Sequence, residues 1–239
     1  MVFFDLVGTL IRGTRPIGRQ YAEQARRFGA AEADPDRLGV AFRAAMSAAP
    51  PMVFPGRSLE ETAGLERGWW ADVVGEVVRR SGLEDVLRGD TFDRFFDSLF
   101  EHFTTADAWE LFPDVRPALE GLRAAGTTLG LITNYDTRVY RVLDALGLAP
   151  LLSTVVIPAD VGAAKPARAI FQHALERVGA APSQALHVGD ELDDDYRGAE
   201  SVGMRAVLID RDGKCRAMDG VKRIESLAEL ANLHSVSAG

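Results

Sequence analysis

The sequence predicts an α/β protein: a parallel β-sheet with helices on both faces, interrupted early by an α-helical insert. Two observations lead there. Over the second half of the chain, short apolar runs alternate with segments of helical spacing, the pattern of a parallel sheet wound with helices. One more apolar run opens the chain, and roughly 95 residues poor in strand-like runs separate it from the others.

The elements follow in order. VFFDLV (2–7) reads as the first strand and contains Asp5. The stretch from about Arg15 to about Glu110 is rich in Ala, Arg, Glu and aromatic residues, with helices expected near 16–30, 36–49, 58–81 and 91–104. SAAPPMVFPGRS (47–58) breaks them, because Pro50, Pro51, Pro55 and Gly56 suit turns and not helix interiors. TTLGLIT (127–133), STVVI (153–157), ALHVG (185–189) and RAVLI (205–209) read as four further buried strands. Val139, Val142, Leu143 and Leu146 mark one intervening helix. Ile170, Phe171, Ala174, Leu175 and Val178 mark another, with Pro166 expected as its first residue. The tail after Asn232 is expected to fray. The expected organisation is a core of residues 1–14 and 111–239 and a helical unit of residues 15–110.

Composition narrows the class. A chain of 239 residues suits one large domain, or a core with a smaller insert. A net charge of −8 argues against a nucleic-acid surface. No apolar run approaches the ~20 residues that a membrane span needs. No basic region precedes an apolar stretch at the N-terminus, so no signal peptide is expected. The single cysteine, Cys215, excludes an internal disulfide and a multi-cysteine zinc site, and a cytoplasmic location is expected. Oligomeric state is left open.

In an open parallel sheet, ligands bind beyond the carboxyl ends of the strands. Here those ends carry Asp5, then Thr133 and Asn134, then Lys165 in VGAAKPARAIF. The last carries Asp190, Glu191, Asp193, Asp194 and Asp195 in one expected loop, HVGDELDDDYRGA. Together they supply a nucleophile, a hydroxyl, an ammonium and a carboxylate cluster. That set suits phosphoryl transfer with a hard, oxygen-seeking cation such as Mg²⁺. Several like charges packed together are costly without such a cation.

With FFDLVGTL, LITN, GAAKPARAIF and HVGDELDDDYRGA in that order, the chain resembles the haloacid dehalogenase (HAD) superfamily over nearly its whole length. It resembles in particular the branch containing haloacid dehalogenase-like hydrolase domain-containing protein 3, with AAPPMVF and the Trp69–Trp70 pair adding to that likeness. The resemblance implies a Rossmann-like core and identifies the helical insert as a type-one cap. It implies that Asp5 attacks phosphorus to form an aspartyl-phosphate, that Thr133 binds a phosphoryl oxygen, and that Lys165 balances the negative charge. Asn134 would orient the loop or touch substrate. The metal ligands it implies are Asp5, the backbone carbonyl of Val7, Asp190 and Asp195, with Asp194 as the rival at the alternative spacing.

The departure is Val7. Many phosphatases of the superfamily carry a second Asp there, which protonates the leaving oxygen and then activates water. Losing such a group commonly costs ~10²–10⁴ in rate. Glu191, Asp195 or a cap side chain remain as replacements. The expected function is a Mg²⁺-dependent phosphatase acting on a small phosphorylated metabolite. The alternatives are a 2-haloacid dehalogenase-type hydrolase and a low-activity phospho-ligand-binding pseudo-phosphatase. Phosphonoacetaldehyde hydrolases of the superfamily use a cap lysine as a Schiff base; here all three lysines, Lys165, Lys214 and Lys222, lie beyond the cap. Arg12, Arg15 and Arg19 read first as solvated charge, and His187 as a packing residue. At least one of Trp69 and Trp70 is expected in core or interface. His102, His173 and His234 lack metal-ligand spacing, and Cys215 has no visible catalytic partner.

Overall fold

The computed structural model describes residues 1–213 and 220–230. Lys214, Cys215, His234 and the tail after Asn232 lie outside the described residues. Strand β1 (Val2–Phe4) leads to β2 (Ile11–Gly13) and then to α1 (Ile17–Arg27), α2 (Pro35–Ala48), α3 (Leu59–Ser81) and α4 (Asp90–His102). These helices fall within a few residues of the four expected. Their ends carry local signals. Asp34 caps α2 ahead of Pro35. Ser58 and Glu61 form a reciprocal capping box on α3, and Gly82 closes it in the left-handed region.

The chain returns through β3 (Trp109–Leu111), which pairs antiparallel with β2. This ribbon was not foreseen: three residues are too short a run to show alternation. It ties the entry and exit of the helical insert together. Next come α5 (Val115–Ala124), β4 (Leu129–Ile132), α6 (Val139–Ala145), β5 (Thr154–Val156), α7 (Pro158–Val161) and α8 (Arg168–Val178). Then follow β6 (Leu186–Gly189), α9 (Gly198–Ser201), β7 (Arg205–Ile209) and β8 (Arg223–Ile224). Among the described residues, no helix is long and apolar enough to cross a membrane.

Six strands form one parallel sheet in the order β5-β4-β1-β6-β7-β8. Strand period two sends alternate side chains to opposite faces. Val2, Phe4, Leu129, Leu131 and Val188 belong to one apolar cluster, while Phe3, Ile132, Ala206 and Leu208 belong to another. A third cluster, built from Tyr21, Leu38, Val77, Phe95 and Leu99 among others, lies within the helical insert. Phe4 pairs with both Leu131 and Val188, so β1, β4 and β6 end at one level. Asp5, Thr133 and Asp190 therefore emerge side by side.

Two local expectations are corrected. Pro166 does not begin a helix; α8 starts at Arg168, and Pro166 lies in a turn closed by Ala167 N–H donating to Ala164 O at 2.9 Å. Lys165 holds it there, because both its backbone N–H and its carbonyl are bonded to the Asn134 side chain. The acidic stretch is not a plain loop either. Leu192–Arg197 winds into a wide helical turn in which Tyr196 N–H reaches Glu191 O, five residues back, at 3.2 Å. Gly189 permits it: a Cβ there would stand 2.1 Å from Asp195 Cγ.

Candidate active site

The site is assembled from strand ends. Asp5 follows β1, and its backbone N–H donates to Val188 O at 2.9 Å, which anchors it to β6. The Lys165 ammonium donates to Asp5 Oδ1 at 2.6 Å and to Asp195 Oδ1 at 2.5 Å. All three residues are buried. Asp195 Oδ1 also lies 2.8 Å from His187 Nε2, and Asp195 Oδ2 accepts the Glu191 N–H at 3.1 Å. Asp190 Oδ1 accepts the Thr9 hydroxyl at 3.1 Å. Asn134 donates its amide to Lys165 O at 3.0 Å and to Asp194 Oδ2 at 3.2 Å, while its Oδ1 accepts Lys165 N–H at 2.7 Å. The Thr133 hydroxyl oxygen accepts Tyr135 N–H at 3.3 Å, which leaves its own proton to donate.

Electrostatics follow from burial and neighbours. Burial opposes the charge on Lys165, but Asp5 and Asp195 outweigh it and hold the ammonium above its ordinary pKa. Asp195 is also desolvated, yet Lys165 and His187 hold it below the ordinary carboxylate range. Asp5 is raised, because burial exceeds its share of the Lys165 charge. Burial, then Asp5 and Asp195, push Asp190 up to about 7. Glu191 and Asp194 are raised, chiefly by burial.

One carboxylate oxygen from each of Asp5, Asp190 and Asp195 lies within 4.8 Å of the others. Three carboxylates with one ammonium among them leave negative charge uncompensated, which suits a divalent cation. Gly8 contributes by having no side chain. At φ +93° a Cβ would stand 2.2 Å from Asp190 Oδ2, so the carboxylate closes directly against the backbone. The donor set therefore fits a hard cation. Asp194 stands outside this triad, on Asn134.

Above these groups is a cavity of about 590 Å³ between the sheet edge and the helical insert. Asp5, Val7, Thr133, Asn134, Lys165, Glu191, Asp194 and Asp195 line one end. Trp69 and Trp70 both face it, edge to face at 4.9 Å between ring centroids. Trp70 also reaches the core, donating to Asp136 Oδ2 at 2.6 Å, which is the interface role expected of one of the pair. Arg12, Arg15 and Arg19 are spent on surface carboxylates, Glu110 for the first and Glu23 for the other two, and do not line the cavity. His102 bonds Gln20 instead of a metal group.

Four groups were not foreseen at the site. Thr9 holds Asp190, and the FFDLVGTL run was the signal for it. His187 is packed as expected but also touches Asp195. Asp136 and Arg138 form a buried ion pair beneath the insert, and nothing in their local sequence marked it.

A model of the haloacid dehalogenase-like hydrolase family matches residues 1–203. Haloacid dehalogenase-like hydrolase domain-containing protein 3 of Xenopus laevis is 35% identical over 209 residues, covering 87% of this chain and 83% of that protein. Among solved structures, a HAD phosphatase from Thermococcus onnurineus is 26% identical with a TM-score of 0.61, covering 98% of this chain and 96% of that one. A 2-haloacid dehalogenase from Pseudomonas syringae pv. Tomato DC3000 is 29% identical with a TM-score of 0.65, covering 99% and 98%.

Proposed function

The chain belongs to the haloacid dehalogenase-like hydrolases, and within that family we propose that it is a Mg²⁺-dependent phosphatase acting on a small phosphate ester through Asp5. The observation that carries this reading is the buried Lys165 ammonium between Asp5 and Asp195, with Asp190 completing the carboxylate triad. We assign residues 15–110 as the cap and 1–14 with 111–239 as the core.

A carboxylate of Asp5 attacks phosphorus, and the bond from phosphorus to the ester oxygen breaks. The products are an aspartyl-phosphate and the ester oxygen's anion, which takes a proton from solvent to become the alcohol. Water then attacks the same phosphorus, the bond to Asp5 breaks, and inorganic phosphate leaves. Lys165 offsets the charge gathered on Asp5 and the phosphoryl oxygens. Thr133 donates its hydroxyl to one of those oxygens. Asn134 has both amide protons committed, so its part is to hold Lys165 in place. Asp5, Asp190, the Val7 carbonyl and Asp195 would hold Mg²⁺. On Asp195 one Oδ2 lone pair is left over from Lys165, His187 and Glu191 N–H. When bound, the ion draws charge from the phosphoryl oxygens. Val7 can neither protonate the leaving oxygen nor activate water. Glu191 and Asp194 line the cavity with raised pKa values and are the groups free to position that water.

The dehalogenase alternative is disfavoured by the same acids. Glu191, Asp194 and Asp195 line the cavity with Asp5, and without a cation such a cluster of carboxylates disfavours a halide anion beside it. The compartment we expect is cytoplasmic, consistent with a lone cysteine. The deciding experiment is phosphate release from an aryl phosphate with Mg²⁺. Release that stops with chelator and in Asp5→Asn supports the reading. Chloride release from a 2-haloacid in chelator, with no phosphatase activity, replaces it. Trapping the aspartyl-phosphate by mass spectrometry separates a slow enzyme from a phospho-ligand binder.

A further inference from the structure

Resting on the phosphatase reading, we propose that the substrate is the phosphate monoester of an apolar aromatic alcohol, a phenol-type ester, with its ring held in the cavity of the helical insert. Two independent observations point there: what the cavity is made of, and what Val7 takes away.

The cavity runs from Asp5 into the insert and is far larger than a phosphoryl group needs. Away from the sheet edge its walls are rings and thioethers: Phe42, Met46, Met52, Trp69, Phe96 and Phe100. Most of their polar neighbours are committed within the protein, although Tyr21 also lines the cavity. Trp69 donates its indole N–H to Pro50 O at 2.8 Å, and Trp70 donates to Asp136 Oδ2. Trp109 and Tyr135 both donate to Phe103 O. Among the described residues, Lys165 and Arg138 are the cations that line the cavity. Lys165 serves Asp5 and Asp195. Arg138 is neutralised by two bonds to Asp136, Nε to Oδ1 at 2.9 Å and Nη2 to Oδ2 at 2.6 Å, and stacks 3.9 Å above the Phe100 ring.

These walls discriminate. A sugar phosphate would bring more hydroxyls than Tyr21 and the committed indoles of these walls can pair, and burying each unpaired is costly. A phosphorylated carboxylic acid would need a cation to receive its carboxylate, and both cations are already paired. An aromatic ring meets other rings edge to face or offset, with sulfur contacts from the methionines, and forfeits nothing.

Val7 supplies the second argument. Val7 is 40% exposed and lines the cavity with Asp5, so residue 7 offers no acid to an oxygen leaving from a phosphoryl group at Asp5. An aliphatic alkoxide is a poor leaving group without a proton. A phenolate is far better, since phenols ionise near pH 10, as the tyrosine side chain does. In the first step the Asp5 oxygen bonds to phosphorus and the aryl oxygen departs with the bonding pair as phenolate, then takes its proton from solvent. No proton donor at residue 7 is required. Apolar aliphatic esters satisfy the walls but not Val7; aromatic esters satisfy both.

The test compares 1-naphthyl phosphate, cyclohexylmethyl phosphate, glucose 6-phosphate and phosphoglycolate with the Mg²⁺-loaded protein, wild type and Val7→Asp. Expected is a kcat/KM for the naphthyl ester at least about 100-fold above each of the others, the low end of what a general acid contributes. In Val7→Asp the cyclohexylmethyl-to-naphthyl ratio should rise by about 100-fold, because the new acid helps only the poor leaving group. Binding is read separately in Asp5→Asn by quenching of the cavity tryptophans; 1-naphthyl phosphate should bind tighter than glucose 6-phosphate, with Trp69→Ala and the milder Trp69→Phe weakening it in that order. Phosphate released as well from glucose 6-phosphate or phosphoglycolate overturns this inference and leaves the phosphatase reading standing. A wild type that hydrolyses the cyclohexylmethyl ester as fast as the naphthyl ester overturns the aromatic assignment. Release from none of the four overturns both.

Discussion

Trp70 donates its indole N–H to Asp136 Oδ2 at 2.6 Å, joining α3 of the helical insert to the loop that follows Thr133. The same carboxylate pairs with Arg138, and Arg138 Nη1 donates to Phe100 O on α4 at 3.1 Å. Glu66 on α3 accepts both the N–H and the hydroxyl of Thr137. The insert is thus latched to a loop only a few residues from the site, through buried polar groups.

Removing one partner of that ion pair should be costly. Asp136 is 2% and Arg138 9% exposed, so Asp136→Ala leaves a buried guanidinium without its counter-ion. A loss of about 3–5 kcal/mol is expected in urea unfolding. The double variant Asp136→Ala/Arg138→Met should recover a large part of it, because no charge is left stranded. If the double variant is no better than the single one, the loss has another origin.

Glu66 gives a pH dependence with a definite sign. Burial raises its carboxyl above the ordinary value of 4.5, an effect that outweighs the bonds from Thr137. The folded protein then holds this proton more tightly than the unfolded chain. Stability from Glu66 is present in full below its unfolded pKa and is lost as pH rises through the folded one. Glu66→Gln keeps an acceptor for Thr137 without the charge. Its stability relative to wild type should therefore improve as pH climbs from 4 toward neutrality, about the ordinary carboxylate range. A gap between the two proteins that stays constant over that range would contradict the assignment.

Asp5→Asn should reduce phosphate release by ~10⁴–10⁶, the scale seen when residues of a covalent catalytic unit are deleted. The fold should survive. Asp5 is buried with a raised pKa, and a neutral side chain of the same shape removes a charge that burial disfavours. Circular dichroism and thermal unfolding check the second point while phosphate release checks the first.

Gly8→Ala should act through Asp190. The new Cβ would stand 2.2 Å from Asp190 Oδ2, at a φ of +93° that side chains rarely adopt. Mg²⁺ at a hundred times its Kd should stabilise the wild type by about 2.7 kcal/mol. That increment should vanish in both Gly8→Ala and Asp190→Asn. A full Mg²⁺ shift in Gly8→Ala would show that Asp190 does not need this close approach.

Much of the architecture was legible from local signals. Burial of a whole strand shows as a short apolar run, which located the five strands that carry or flank the site. Composition, the scarcity of strand-like runs and the break at Pro50, Pro51, Pro55 and Gly56 placed the insert's helices to within a few residues, and the structure adds the caps at Asp34, Ser58 and Gly82. The β2–β3 ribbon escaped, since three-residue strands carry no period. So did the wide turn at Leu192–Arg197, because a run of aspartates says nothing of the i+5 bond from Tyr196 that shapes it.

The sequence by itself determined where the candidate groups stand: Asp5 at a strand end, a glycine at 8 for a tight turn, a valine and not an acid at 7. Those are matters of local backbone and side-chain type. Only the tertiary structure decided who touches whom. Lys165 meets Asp5 across 160 residues because β1 lies between β4 and β6, an order that no periodicity encodes. It also placed Asp195 on Lys165 and His187 and Asp194 on Asn134, although the two acids are adjacent in sequence. The same folding gathered aromatic side chains from distant helices into one apolar cavity, and the contents of a cavity depend on which faces meet, not on any one face alone.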